Sequence, residues 1–209
     1  MNDPKIKQFI NGPSLVTLVA FAFAWTAIVL LLKDHFYVSF AFVIFAFIAD
    51  TFDGYLARGL NQTSDFGGQL DGHVDVFIYL LYPALAFYFF FGLNDYLSLV
   101  IIFLFLASGL IRLVRFNVVG YVPGQSSDKN YPGLPVFMSH LLVLVFIILK
   151  LINFIDYFYI ISNFLILLMA YLMLTSFPFP KPKNIKPVIV FLLALAIISL
   201  FFSQYGINK

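Results

Sequence analysis

Cysteine and glutamate are both absent from this 209-residue chain, and charge of either sign is scarce. Without cysteine there are no disulfides and no thiolate metal ligands. Without glutamate, any carboxylate chemistry falls to the ten aspartates. Charged residues make up 11% of the chain, whereas a soluble domain carries roughly a quarter. What fills the space is apolar: 62% of residues are hydrophobic, and the mean hydropathy is +0.99. Lipid is therefore the expected solvent, and one integral-membrane domain over residues 1–209 accounts for the length. A formal charge of +2 gives no reason to expect a nucleic-acid partner.

Apolar runs lie near 15–32, 37–57, 70–92, 96–116, 134–153, 157–176 and 187–203, each about the 17–25 residues that a bilayer crossing requires. The reading is an all-α polytopic transmembrane helix bundle of seven crossings. The first run lacks a small-residue cleavage pattern and is read as a retained helix, not a signal peptide. Pro13 and Ser14 mark its start, where a proline costs no intrahelical hydrogen bond. Pro178, Pro180, Pro182 and Pro187, with three lysines, form a polar break before the last helix.

Charge distribution orients the bundle. Lys5, Lys7, Arg58, Arg112, Arg115, Lys129, Lys181, Lys183 and Lys186 fall on one side, and Lys33, Lys150 and Lys209 on the other. Nine against three predicts a cytoplasmic N-terminus and a cytoplasmic loop after the second helix. Residues 4–11 read as a short amphipathic segment lying on that face.

Against this background, residues 50–75 hold half of all the acid. The stretch runs Asp50-Thr51-Phe52-Asp53-Gly54-Tyr55-Leu56-Ala57-Arg58, then reaches Gly67, Asp71 and Asp75. An aspartate at the bilayer centre costs about 2.5–3.5 kcal/mol on insertion scales, so intramembrane acids mark cavities or pathways. Asp50 and Asp53 are three apart, Asp71 and Asp75 four apart, and both spacings place a pair on one helix face. The first pair ends the second helix and the second opens the third, so a hairpin gathers four carboxylates. They would repel one another without a cation. Oxygen-only donors of this kind suit Mg²⁺ or Mn²⁺, and two such ions would clamp a phosphoryl group. Gly54 and Gly67 let a bulky ligand approach the backbone, Arg58 offers a guanidinium to a phosphate oxygen, and Ser64 adds a hydroxyl and an N–H. Gly68, Asp65 and His73 fall off the repeating face, and His73 reads as structural. His140 reads as an interhelical hydrogen-bonding group.

Written as D-x2-D-G-x2-A-R-x8-G-x3-D-x3-D, residues 50–75 resemble the signature of the CDP-alcohol phosphotransferase family at every fixed position. That resemblance implies a six-helix transmembrane core, a two-metal site at the cytosolic face, and a homodimer. It implies transfer of a substituted phosphate from a CDP-linked donor to an alcohol, with release of CMP. On the family's pattern Asp50, Asp53, Asp71 and Asp75 hold metal, and Asp75 also accepts the proton. Gly54, Ala57, Arg58, Ser64 and Gly67 line the CDP-lipid site, and Pro13-Ser14-Leu15-Val16-Thr17 is similar to the segment near the nucleotide. Gly109-Leu110-Ile111-Arg112-Leu113-Val114-Arg115-Phe116-Asn117, then Gly133-Leu134-Pro135, then Tyr171 to Lys181, resemble the phosphatidylserine synthase branch, where one extra C-terminal helix is common. CDP-diacylglycerol as donor and L-serine as acceptor follow from that likeness.

Arg112 and Arg115, three apart near a cytoplasmic helix end with Asn117 beyond, could grip a serine carboxylate. The other reading makes both arginines positive-inside anchors at lipid headgroups. Tyr131 and Lys129 fall in the loop above. Glycerol phosphate, inositol phosphate or a choline-type alcohol are rival acceptors; the phosphorylated ones call for more basic residues than this pair. A divalent-cation transporter is the rival of another class. An ion path should cross the bilayer, yet Asp3, Asp34, Asp95, Asp128 and Asp156 all fall in termini or loops.

Overall fold

The computed structural model describes residues 11–120, 122–123, 129–152, 155–180 and 186–204. Residues 4–10 of the 4–11 segment read as amphipathic, and the side chains of Lys5, Lys7, Lys181, Lys183 and Lys209, lie outside them. In chain order the elements are α1 (Gly12–Leu32), α2 (Phe36–Gly59), α3 (Asp65–Asp75), a π-helical turn (Val76–Leu81), α4 (Tyr82–Phe89), α5 (Tyr96–Val119), β1 (Val122–Pro123), β2 (Lys129–Pro132), α6 (Met138–Leu151), α7 (Ile155–Leu174), β3 (Pro178–Pro180) and α8 (Lys186–Gln204). Residues Asp65–Phe89 form one continuous rod, so among the described residues seven rods answer the seven apolar runs. Five are long and apolar enough to cross a membrane; Met138–Leu151 and Pro187–Ser203 are shorter apolar helices. The protein is an all-α, multi-pass membrane bundle.

The chain gathers into two compact units. In the first, residues 1–78 with 185–209, α1 packs along α2, and α2 along α8. Ala20, Ala24 and Ala27 follow one face of α1 and are wholly buried, as are Ala41 and Ala46 of α2. Small side chains let membrane helices approach closely. Hydroxyls fasten the contacts: Ser39 Oγ donates to the Ala27 carbonyl at 2.7 Å, and Ser199 Oγ to the Tyr37 carbonyl at 2.5 Å. α1 begins where Asn11 caps it, its side-chain oxygen accepting from the Ser14 N–H at 2.9 Å. α3 begins five residues earlier than the apolar run suggests, because Ser64 is an N-cap whose Oγ accepts from the Gly67 N–H at 3.1 Å.

The second unit, residues 79–184, holds α4 to α7 and the strands. Phe87, Phe105 and Phe146 are fully buried, and Phe87 meets the other two with ring centroids 5.7 and 5.3 Å away. Asp95 caps α5, accepting from the Leu97 and Ser98 N–H groups at 3.0 and 3.2 Å, and from the Ser98 and Tyr159 hydroxyls at 2.6 and 2.5 Å. Those hydroxyl bonds hold its carboxyl well below the usual carboxylate range.

Three features here are not legible in the hydropathy pattern. The π-helical turn precedes Pro83, which lacks the N–H needed to continue an α ladder. A small antiparallel sheet runs β1-β2-β3, with Asn130 opposite Val122 and Pro180, and Tyr131 opposite Phe179. α6 starts at Met138, not near 134, because Gly133 has φ +77° and Pro135 follows it.

Gly109 of α5 sits where a Cβ would lie 2.2 Å from Leu80 Cδ2, and Leu80 is fully buried. Gly109→Ala is expected to lower stability by about 1–3 kcal/mol, the usual cost of overpacking. Thermal unfolding in detergent measures it, and an unchanged midpoint would show that Leu80 has room to move.

Candidate active site

Two helix ends and the loop between them build the site within the first unit. The last turns of α2 supply Asp50, Asp53, Gly54, Ala57 and Arg58, and the first turns of α3 supply Gly67 and Asp71. One carboxylate oxygen from each of Asp50, Asp53 and Asp71 lies within 4.8 Å of the other two. Asp75, half-buried, is one helical turn beyond Asp71 and outside this group; four residues of helix rise about 6 Å. Three of the four expected ligands thus converge, and the fourth adjoins them on the same face of α3.

Electrostatics ask for a cation. Two unit charges 4–5 Å apart repel by roughly 3–4 kcal/mol at an effective dielectric near 20. The Arg58 charge reaches both Asp53 and Asp71, but one guanidinium balances only one of three negative charges. Asp53 is 4% exposed, and its Oδ2 is buried with no hydrogen-bond partner among the described residues. A buried carboxylate oxygen in that state costs several kcal/mol of lost hydration. A hard divalent ion fits these donors: they are all oxygen, closely spaced, and one is desolvated.

Beside the carboxylates opens a cleft of about 550 Å³, its open mouth included. Every residue expected to line a CDP-lipid site is on its wall: Gly54, Ala57, Arg58, Ser64 and Gly67. Arg58 folds back over Gly54, so that a Cβ there would meet its Nη1 at 3.2 Å. The helix backbone is thereby open to a ligand and overhung by a cation. Ser64 spends an oxygen lone pair on the α3 cap; its hydroxyl proton can still serve an anion. At Gly67 a Cβ would meet Ser64 Oγ at 3.2 Å, crowding that cap.

Pro13, Ser14 and Thr17 of α1 line the cleft too, with Thr17 beside the Asp53 carboxylate. Asn11, Gln62, Thr63 and Gly68 complete the wall and were not foreseen. Gly68, expected off the active face, faces the cleft because α3 begins before it and turns its first residues inward. Asn11 had one visible signal, an N-cap residue just ahead of Gly-Pro-Ser; it also donates through Nδ2 to the Gln62 carbonyl at 3.1 Å, tying the loop to α1. His73 Nδ1 donates to the Gln69 carbonyl at 2.6 Å on the exposed side, a local role.

Arg112, Arg115 and Asn117 lie in the second unit, and the two arginines differ sharply. Arg112 is 3% exposed, with Cζ 5.2 Å from the Phe116 ring centroid and 5.7 Å from that of Tyr131. Such burial does not suit a headgroup anchor. Arg115 donates to four main-chain carbonyls: Leu174 at 2.9 Å from Nη1, and Pro132, Met173 and Thr175 at 2.8, 3.0 and 2.9 Å from Nη2. It was expected to grip a substrate carboxylate beside Arg112, but its fork is occupied by the protein's own backbone. Asn117 is exposed on the last turn of α5.

Comparison with known proteins agrees with this geometry. Residues 10–208 match the family model described as CDP-alcohol phosphatidyltransferase. The chain is 31% identical over 182 residues to the CDP-diacylglycerol–serine O-phosphatidyltransferase of Methanocaldococcus jannaschii, covering 82% of this chain and 83% of that protein. It is 32% identical over 168 residues to the Helicobacter pylori protein of the same name, covering 77% and 68%. It is 26% identical over 183 residues to the archaetidylserine synthase of Methanothermobacter thermautotrophicus, covering 87% and 74%. With the aspartate hairpin, the glycine-floored cleft and a match over nearly its whole length, the chain belongs to the CDP-alcohol phosphatidyltransferase family.

Proposed function

We propose that this protein transfers the phosphatidyl group of CDP-diacylglycerol to the hydroxyl of L-serine, forming phosphatidylserine and releasing CMP. The observation that carries the reading is the meeting of Asp50, Asp53 and Asp71 beside a cleft walled by Gly54, Ala57, Arg58, Ser64 and Gly67. The relatives' names support serine as the acceptor. Residues 1–209 then form one catalytic domain. The positive-inside bias supports a cytoplasmic active site, and the family resemblance supports a homodimer.

Asp50, Asp53 and Asp71, with Asp75 adjoining, would hold two divalent ions, Mg²⁺ or Mn²⁺. Bound there, such ions supply charge screening for the phosphoryl oxygens. The chain's own residues do the rest. The bare backbone at Gly54 and Gly67 admits the nucleotide, while the acyl chains stay in the lipid. Arg58 and the Ser64 hydroxyl hold phosphate oxygens, so catalysis is largely positioning and electrostatics. Arg112 takes the acceptor's carboxylate, and Asn117 contributes a polar contact. Asp75 accepts the serine hydroxyl proton as that oxygen attacks the phosphorus bearing the diacylglycerol; the bond to the CMP oxygen breaks, and CMP departs.

The test is to incubate purified protein with CDP-diacylglycerol, Mn²⁺ and, separately, serine, glycerol 3-phosphate, inositol phosphate and choline, following CMP. Serine-dependent CMP release is the expected result. Release with another alcohol alone would reassign the acceptor, and release with none would end the proposal.

A further inference from the structure

We infer that Arg115 is a positioning residue that sets acceptor affinity by locking the Tyr131 segment beside Arg112, and not a ligand of the acceptor. This rests on the assignment of Arg112 to the acceptor made above. The last carbonyls of a helix lack intrahelical partners. At the end of α7, Met173 and Leu174 are two of these, and the Thr175 carbonyl follows; the Arg115 fork takes all three. The helix dipole adds to the attraction, since its C-terminus favours a cation. The fourth carbonyl belongs to Pro132, the last residue of β2. One guanidinium therefore joins α5, the end of α7 and β2 within the second unit.

The neighbouring glycine makes the same joint from the other side. Gly133 has φ +77°, and a Cβ there would stand 2.3 Å from the Thr175 carbonyl oxygen and 2.8 Å from Arg115 Nη2. Its N–H donates to the Phe177 carbonyl at 2.8 Å, and that of Leu134 to the Leu172 carbonyl at 3.2 Å. The Gly133-Leu134 step is thus the close approach that lets β2 reach the Arg115 fork. Tyr131, one residue before Pro132, is paired with Phe179 of β3. Its ring lies 5.7 Å from that of Phe116, and the two rings flank the buried Arg112 guanidinium. Loosening the joint moves the Tyr131 ring and so changes the setting of Arg112, though nothing that touches the donor has been altered.

The experiment measures KM for acceptor and donor, kcat and thermal midpoint in wild type, Arg115→Lys, Arg115→Ala, Gly133→Ala, Tyr131→Leu and the Arg115→Ala/Gly133→Ala double variant, using whichever alcohol the wild type accepts. Arg115→Ala, Gly133→Ala and Tyr131→Leu should each raise the acceptor KM by about tenfold or more, as small misplacements do, with the donor KM within about twofold. Lysine, a point charge without the planar fork, should not restore the acceptor KM at position 115. The double variant should be no worse than the poorer single, because both changes break one joint. Three results would overturn the inference: an unchanged acceptor KM in Gly133→Ala and Tyr131→Leu while Arg115→Ala raises it, which marks Arg115 as a direct ligand; recovery in Arg115→Lys, which marks a need for charge alone; or equal changes in both KM values that follow the loss of thermal stability, which mark scaffolding only. An Arg112→Ala variant separates this from the underlying reading: an unchanged acceptor KM there removes Arg112 from the acceptor site, whatever position 115 does.

Discussion

Asp75→Asn is expected to stop CMP release while leaving CDP-diacylglycerol binding nearly intact. The substitution keeps the shape of the side chain and removes its capacity to accept a proton at pH 7. Asp75 adjoins the Asp50, Asp53 and Asp71 group without being one of the three that converge within 4.8 Å. The proposal gives Asp75 the role of base besides its place next to the ion-holding acids, and this substitution separates the two. General-base catalysis contributes about 10²–10⁴-fold, so kcat should fall by at least about a hundredfold. Donor affinity, read by a labelled CDP-lipid analogue, should change little. Undiminished turnover would remove Asp75 as the base. A matching collapse of donor binding would instead place Asp75 among the groups that hold the nucleotide lipid.

Asp53→Asn should have the second large effect, of a different kind. Asp53 is the most buried of the converging acids, at 4% exposed, with an unsatisfied Oδ2 and Thr17 beside it. Losing an outer-shell partner costs roughly 10–100-fold in metal affinity or activity, and loss of a direct oxygen donor should exceed that. Mn²⁺ affinity, measured by calorimetry on the apo protein, should drop by more than about a hundredfold on that scale, and activity should recover partly as Mn²⁺ is raised. The fold should survive, because an amide in place of the carboxylate relieves like-charge repulsion with Asp50 and Asp71. Unchanged Mn²⁺ affinity would show that the aspartate group does not bind the ion.

The two predictions rest on features with unequal visibility in the sequence. The aspartate hairpin was legible because helical periodicity fixes which residues share a face, and because acids in an apolar chain stand out. Spacings of three and four, with a loop between, suffice to bring Asp50, Asp53 and Asp71 together. The seven rods were legible because bilayer thickness sets the length of an apolar run. Their ends were less so: α3 starts at Asp65 because of a Ser64 cap, a local hydrogen bond that hydropathy does not register. The sheet was not legible at all. Its strands are two to four residues long and rich in proline, so neither alternation nor propensity marks them. The different surroundings of Arg112 and Arg115 were hidden for a similar reason. The partners of Arg115 are main-chain carbonyls 17 to 60 residues away, and a carbonyl looks the same at every position of a sequence. Asn11, Gln62 and Thr63 join the cleft wall by the path of the chain into α1 and through the α2–α3 loop, which no residue pattern dictates.

In the proposed site, carboxylates from two adjoining helix ends are held together by divalent ions serving a nucleotide-activated lipid. Anomalous diffraction at the manganese edge, from crystals grown with Mn²⁺ and CDP-diacylglycerol, tests it most directly. The account predicts anomalous peaks within coordination distance of Asp50, Asp53 and Asp71, with the donor's phosphates against them and Arg58 alongside. Those three side chains turned away from one another, with no anomalous signal among them and the donor bound elsewhere, would contradict it.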